Sequence, residues 1–267
     1  MSLYSLDAAI ALSSAQEGLL RGHFGGSYAN MVGPFGGIIA ATLLNGVLTD
    51  PECLGQPVAM TVNFAGVVAD AEFDVTVQLA RATRTTQHWV LALNQEGKTV
   101  VTATAMTAQR PEASWQATDL VMPEVPAASQ VSRLDTRMYP GWAKNYALHI
   151  IDGGLQPGSE PSGATTRLWV RDEPPRPLDF LSLMAISDVF FPRVFVRRQQ
   201  MMPAGTVSMT TYFHADAESL ARQGDRALLG VARANRFHRG FFDQSAELWG
   251  ADGELLVTTH QMVYYKG

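Results

Sequence analysis

The 267-residue sequence contains one cysteine, Cys53, so it can form neither an internal disulfide nor a cysteine zinc cluster, and nothing in it points to an oxidising compartment. Charge is sparse as well: 20 Lys and Arg stand against 25 Asp and Glu, and the net charge of −5 argues against a nucleic-acid or anionic-membrane binder. Long apolar runs are missing. No stretch reaches the length of a membrane span, and Met1 to Leu12 lacks the basic start of a secretion signal, so a cytoplasmic protein is expected. There is no G-x-S-x-G, H-E-x-x-H, C-x-x-C, P-loop or G-x-G-x-x-G run, which leaves serine-hydrolase, zinc and nucleotide chemistry without an anchor. The six histidines are scattered, so no metal site and no cofactor are expected.

What the chain does have is apolar mass: 46% of its residues are hydrophobic, enough for a sizeable core or two modest domains. A short helical spacing at Leu6 to Leu12 and a strand-like run from Glu17 to Phe24 lead to a turn at Gly25-Gly26. Gly36-Gly37 then opens a nearly uncharged helix expected to end at Gly46. Strand patterns follow at Val58 to Phe64, Glu72 to Thr83, Trp89 to Leu93 and Thr99 to Thr107. From Arg110 to about Gln130, Pro, Ala, Ser and Glu dominate, as in a surface linker. The pattern restarts with strands at Tyr146 to Ile151 and Thr165 to Arg171 and a helix beginning near Pro177.

The restart is a repeat. Ala59-Met60-Thr61-Val62-Asn63-Phe64 answers Ser208-Met209-Thr210-Thr211-Tyr212-Phe213, Ala80-Arg81-Ala82 answers Ala232-Arg233-Ala234, and the hairpin Glu96 to Thr102 answers Asp252 to Thr258. Three matches in one order predict two curved antiparallel sheets, each wrapped on its own central helix and joined edge to edge, an α+β architecture. Such a duplication carries an internal control, because a polar residue replaced by an apolar one in the other copy is not demanded by the fold. Asp188 lies at helical spacing from Phe180, Leu181 and Met184, and the first helix has no acid at the matching place. Gln261 shares a strand face with Leu255, Val257, Thr259 and Val263, and its counterpart is Ala105; Thr206 answers to Pro57. Taken singly, Asp188 reads equally as a local cap and Gln261 as an amide satisfied by backbone.

Together these residues resemble the acyl-CoA thioesterase II type of double-hotdog proteins over nearly the whole chain. Gly18-Leu19-Leu20-Arg21-Gly22 is similar to the family's G-L-F-R-G run and Phe35-Gly36-Gly37 to its F-G-G run. Ser187-Asp188, Thr206 six residues before Tyr212-Phe213-His214 (W-F-H in the family), and Gln261 match the second half. The chain departs in that S-D-x-N-F is here Ser187-Asp188-Val189-Phe190-Phe191, without the Asn, and Tyr212 replaces the tryptophan. The resemblance implies a tandem double hotdog, with an N-terminal unit over 1–110, a linker over 111–139 and a C-terminal unit over 140–267. It implies that Asp188, Thr206 and Gln261 hold the hydrolytic water of a fatty or related acyl-CoA.

Thioester hydrolysis also needs donors for the oxyanion, for which the backbone N–H groups of Gly36 and Gly37 at a helix start are candidates. Coenzyme A phosphates would meet arginines, with Arg193, Arg197 and Arg233 as candidates beside Arg198, Arg236 and Arg239. One site per chain, in a cleft between the halves, is expected. The partner is then acyl-CoA, without nucleic acid or membrane, and the resemblance leaves room for a homo-oligomer of double-hotdog chains. Two alternatives remain: a non-catalytic acyl-group binder on the same fold, and a hotdog hydratase, whose Asp-x4-His pairing is absent here.

Overall fold

Strand-forming residues flank a buried helix in each half, opened by Gly36-Gly37 in the first and capped by Asp179 in the second, and the pairing that results is one continuous sheet. The computed structural model describes residues 4–16, 18–160 and 163–267; Glu17, where the first strand-like run was expected to begin, lies outside them. The first half contains α1 (Ser5–Ala9), β1 (Ser13–Gln16), β2 (Leu19–His23), α2 (Gly36–Leu48), β3 (Gln56–Phe64), β4 (Glu72–Ala82), β5 (Thr86–Gln95) and β6 (Lys98–Ala108). The second contains β7 (Tyr146–Asp152), β8 (Thr166–Asp172), α3 (Phe180–Ile186), α4 (Arg193–Arg198) and β9 (Ala204–Phe213). It continues with α5 (Ala217–Gln223), β10 (Leu228–Arg233), β11 (Phe237–His238), β12 (Phe241–Trp249) and β13 (Leu255–Tyr265). Among the described residues the strand order is β1-β2-β4-β5-β6-β3-β9-β13-β12-β10-β8-β7, antiparallel throughout, with β11 beside β12.

The matched strands of the repeat, β3 and β9, pair with each other at the centre. Thr61 lies opposite Thr210, Met60 opposite Thr211 and Val62 opposite Met209, so the register is symmetric about the two equivalent threonines. Their hydroxyls bond at 2.9 Å. Each half thus closes the other's open edge, the arrangement that leaves no long unpaired strand at the seam. Arg110 ties the seam from outside, donating from Nη1 to the carbonyls of His214 and Ala215 at 3.0 Å each and from Nη2 to those of Pro57 at 2.8 Å and Phe213 at 2.5 Å. Arg110→Ala should therefore lower stability by about 1–3 kcal/mol, read as a lower denaturation midpoint with the slope of the transition unchanged.

The core is formed where α2 and α3 pack on each other and on the sheet. Nearly every residue of α2 is buried, which explains its lack of charge. The helix runs on past Gly46 to Leu48: a Cβ at Gly46 would sit 3.1 Å from Val77 Cγ2 and 3.3 Å from Leu20 Cδ1, so this glycine serves close packing and not termination. The linker is only partly a free surface strand, since Met122, Val125 and Ala128 pack on Trp169 and Trp249 and the Trp169 indole donates to Pro126 O at 2.9 Å.

Two expectations for the second helix are corrected. It begins after Pro177, at Phe180, because Asp179 caps it, accepting the Ser182 N–H at 2.8 Å. It also ends earlier than the stripe through Asp188 required. Ser187 turns its hydroxyl back to Leu183 O and closes the last turn, so Asp188 lies just beyond the helix in a turn, from which its carboxylate still meets the sheet at Gln261 of β13.

Candidate active site

The early end of α3 delivers Asp188 to the start of α2, where two glycines make room for it. A Cβ on Gly36 would lie 2.7 Å from Asp188 Oδ2, and one on Gly37 would lie 2.4 Å from Ala185 O, so the two helices meet backbone to backbone. The Gly37 N–H acts on the Asp188 carboxylate. This corrects the expectation for Gly37, whose N–H is engaged with a resident carboxylate at the positive end of α2 and does not stand open to an oxyanion.

Three side chains from separate elements then form one chain of hydrogen bonds. Gln261 on β13 donates from Nε2 to Asp188 Oδ1 at 2.8 Å and accepts at Oε1 from Thr206 Oγ1 at 3.1 Å. Thr206 reaches this face through a bulge. Register slips between Met262, opposite Ser208, and Val263, opposite Thr206; without the extra residue Thr206 would share the outward face of Ser208 and Tyr212. Burial pushes the Asp188 pKa up to about 7, against the opposing pull of the Gln261 amide and the Gly37 N–H. A carboxyl with that pKa exchanges a proton readily at neutral pH.

Asp188, Thr206 and Gln261 all open onto a cavity of about 300 Å³. Its walls draw Asn30, Met31 and Phe35 from the first half, Met138, Tyr139 and Trp142 from the segment entering the second, and the rest from the second half. The lining is largely apolar. Phe35 stacks on Trp142 at 4.6 Å and Tyr139 on Phe191 at 5.3 Å, giving an aromatic wall beside the carboxylate. The position of the absent Asn is thus taken by a phenyl ring, since Phe190 and Phe191 both line the space.

The arginines divide. Arg193, expected at a phosphate, is fully buried: it donates to the Phe191 carbonyl, to Thr166 Oγ1 and, at 3.1 Å from Nε, to Gln244 Oε1. It lies inside because α4 starts directly after Pro192 and its first turn packs into the core between β8 and β12. Arg233 is engaged with Glu247 at 2.5 and 2.8 Å, an ion pair within the sheet that holds its guanidinium on the strand next to it. Arg197 is exposed in the last turn of α4.

Gln244 is a polar lining residue that the repeat did not single out. Gln244 on β12 is opposite Gln261 on β13, and the equivalent pair in the first half is Trp89 opposite Ala105. Both members of the second pair are polar where the first pair is apolar. β5 and β12 share no matching run of residues, so the repeat does not display this difference in the sequence.

The acyl-CoA thioesterase C-terminal domain model matches residues 111–265 and the N-terminal domain model residues 26–108. No curated protein matches the chain. Among solved structures, a hot dog fold protein of unknown function from Alicyclobacillus acidocaldarius is 45% identical with a TM-score of 0.95, covering 100% of this chain and 99% of that one. An acyl-CoA thioesterase II from Mycobacterium marinum is 15% identical, with a TM-score of 0.74 and 98% coverage of both chains. A tesB protein from Mycobacterium avium subspecies paratuberculosis is 16% identical, with a TM-score of 0.76 and 98% coverage of both. At these lower identities the likeness concerns the fold, which is the hotdog fold. With the C-terminal model spanning more than half of the sequence and the N-terminal model most of what precedes it, the chain belongs to the acyl-CoA thioesterase family.

Proposed function

We propose that this protein hydrolyses a medium- or long-chain acyl-CoA to free acid and coenzyme A, using a water held by Asp188, Thr206 and Gln261. The observation that carries this reading is the hydrogen-bonded chain of the three residues at the wall of an apolar cavity. Thr206 gives its own proton to Gln261, so its lone pairs are left to accept from a water, while Asp188 accepts that water's other proton. Held by both protons, the water presents a lone pair to the thioester carbon, which removes part of the entropic barrier to attack. Asp188 is the general base, and the methionines and aromatic rings of the cavity suit an acyl chain. We read residues 1–110 and 140–267 as two hotdog units in tandem with 111–139 crossing between them, a division supported by the symmetric pairing of β3 and β9. Arg197 is our candidate for a coenzyme A phosphate.

Release of free thiol from an acyl-CoA panel, followed with a thiol-reactive dye, tests the reading. Turnover that is unchanged after chelation is expected, since water activation rests on Asp188. Saturable acyl-CoA binding with no thiol release would instead make the protein an acyl-group binder.

Crowding at Gly36 supplies a further expectation. Gly36→Ala forces Asp188 Oδ2 away from its present place, so turnover should fall at least tenfold while the melting temperature moves by only a few degrees, because the displaced atom ends a side chain. Turnover matching the parent protein would show that the carboxylate's position does not matter.

A further inference from the structure

We propose that the side-chain amide of Gln244 donates to the thioester carbonyl oxygen, and that the buried cation of Arg193 behind it makes this the oxyanion site. The inference rests on the thioesterase reading above and supplies what that reading lacks once Gly37 is engaged with Asp188.

Arg193 fixes which way the amide points. A guanidinium has only donors, so Gln244 can meet Arg193 Nε only through its oxygen, as it does at 3.1 Å, and its NH2 is turned away. Among the described residues that NH2 has no protein acceptor, and it is not sealed from space either; the open space beside Gln244 is the cavity that Asp188, Thr206 and Gln261 also line. The neighbouring amide differs in this respect, because Gln261 uses both its ends on Thr206 and Asp188. Directly opposed residues on antiparallel strands have Cβ atoms about 4.5–5.5 Å apart, so the Gln244 amide lies one strand from the residue that orients the water. A carbonyl carbon within reach of that water can have its oxygen on Gln244.

The second observation is the charge. Arg193 is wholly buried, and among the described residues no carboxylate lies within ion-pair distance of it: its partners are a backbone carbonyl, a threonine hydroxyl, the Gln244 oxygen and the Phe190 ring at 5.9 Å. Burial lowers its pKa to about 9, which still leaves it charged at neutral pH. A cation without a counterion in a dry setting is unfavourable unless negative charge comes near it. An oxyanion in the adjoining cavity is such a charge, and it exists only during the reaction. The Arg193 bond also polarises the amide, strengthening its N–H as a donor.

The step balances without any further reagent. The water oxygen forms a bond to the carbonyl carbon, its proton passes to Asp188, and the carbonyl π pair moves onto the oxygen facing Gln244. When that pair returns, the C–S bond breaks, the sulfur leaves with its electron pair, and Asp188 returns the proton to it. Gln244 is the catalytic donor here; Arg193, acting through it, is a positioning residue.

The test combines kinetics with the infrared carbonyl band of a bound, 13C-labelled ketone analogue of the acyl-CoA, in which a methylene replaces the sulfur and hydrolysis is impossible. Gln244→Glu keeps an acceptor for Arg193 and removes the donor, so kcat should fall on the order of 100-fold with KM little changed. The carbonyl band should lose the low-frequency shift that the intact protein imposes. Gln244→Met, without any charge, should do the same if the glutamate variant does not fold. Arg193→Lys should hold the band nearer to its original position than Arg193→Met. Unchanged kcat and an unchanged band in a folded Gln244 variant overturn the proposal; if Asp188→Asn still abolishes turnover, the thioesterase reading survives that result. If the intact protein releases no thiol, that reading fails, and the band still decides whether Gln244 meets a bound carbonyl.

Discussion

Asp188→Asn should reduce kcat for thioester hydrolysis by about 10²–10⁴ while acyl-CoA binding persists, because the amide keeps the size of the carboxyl and loses the ability to take a proton. The parent protein's own pH profile should carry the same signature. With the pKa pushed up to about 7, Asp188 is protonated and idle below that pH, so kcat should rise through pH 7 and level off above it. Stability should move in the opposite direction. A carboxyl whose pKa is higher in the folded than in the unfolded chain binds its proton more tightly when folded. Its favourable contribution is full below about pH 4 and is lost as pH rises through about 7. At pH 8 the parent protein thus holds a poorly solvated charge that the Asn variant lacks. The variant should melt several degrees higher there, and the two melting temperatures should converge towards pH 4. Near-normal turnover in the variant would remove Asp188 from the chemistry. An unfolded variant would make the acid a structural partner.

Gln261→Ala should cost roughly 100-fold in kcat and leave the protein folded. The duplication is the reason to expect survival: Ala105 already occupies the equivalent place on β6, opposite Trp89, in the same kind of sheet. The loss arises because this amide joins Thr206 to Asp188, so its removal frees both ends of the water site. Gln261→Glu is a sharper probe. A second carboxylate beside Asp188 disfavours ionisation of the pair, so the rise in kcat should move to higher pH as well as falling in height. Melting temperature and pH profile measured on one preparation separate these outcomes from simple unfolding; an alanine variant that turns over normally would show that the amide orients nothing.

The strands of the first half were legible because their alternation is a local property. Val58 to Phe64 and Glu72 to Thr83 fall within a residue or two of β3 and β4. Helix limits were less so. Gly46 reads as a stop and is in fact a contact with Val77, and the end of α3 depends on a Ser187 hydroxyl bond that spacing does not report. Asp188, Thr206 and Gln261 could be singled out because a duplicated chain displays what its fold does not need, and their matching motifs implied a shared water.

What the amino-acid order determined alone is therefore periodic or comparative: strand faces, the repeat, the lack of metal and nucleotide motifs, and the polar residues that differ between copies. The tertiary structure decided what depends on long-range approach. Arg193 is a lone charge in the apolar run Val189 to Val196, and only the packing of α4 against β12 makes it a buried cation facing Gln244. Gly36 and Gly37 suit an anion at a helix start, but it is the turn after α3, far away in sequence, that supplies Asp188 as that anion. Thr206 turns inward through a one-residue slip between β9 and β13, which belongs to the pairing of two strands and to neither of them alone.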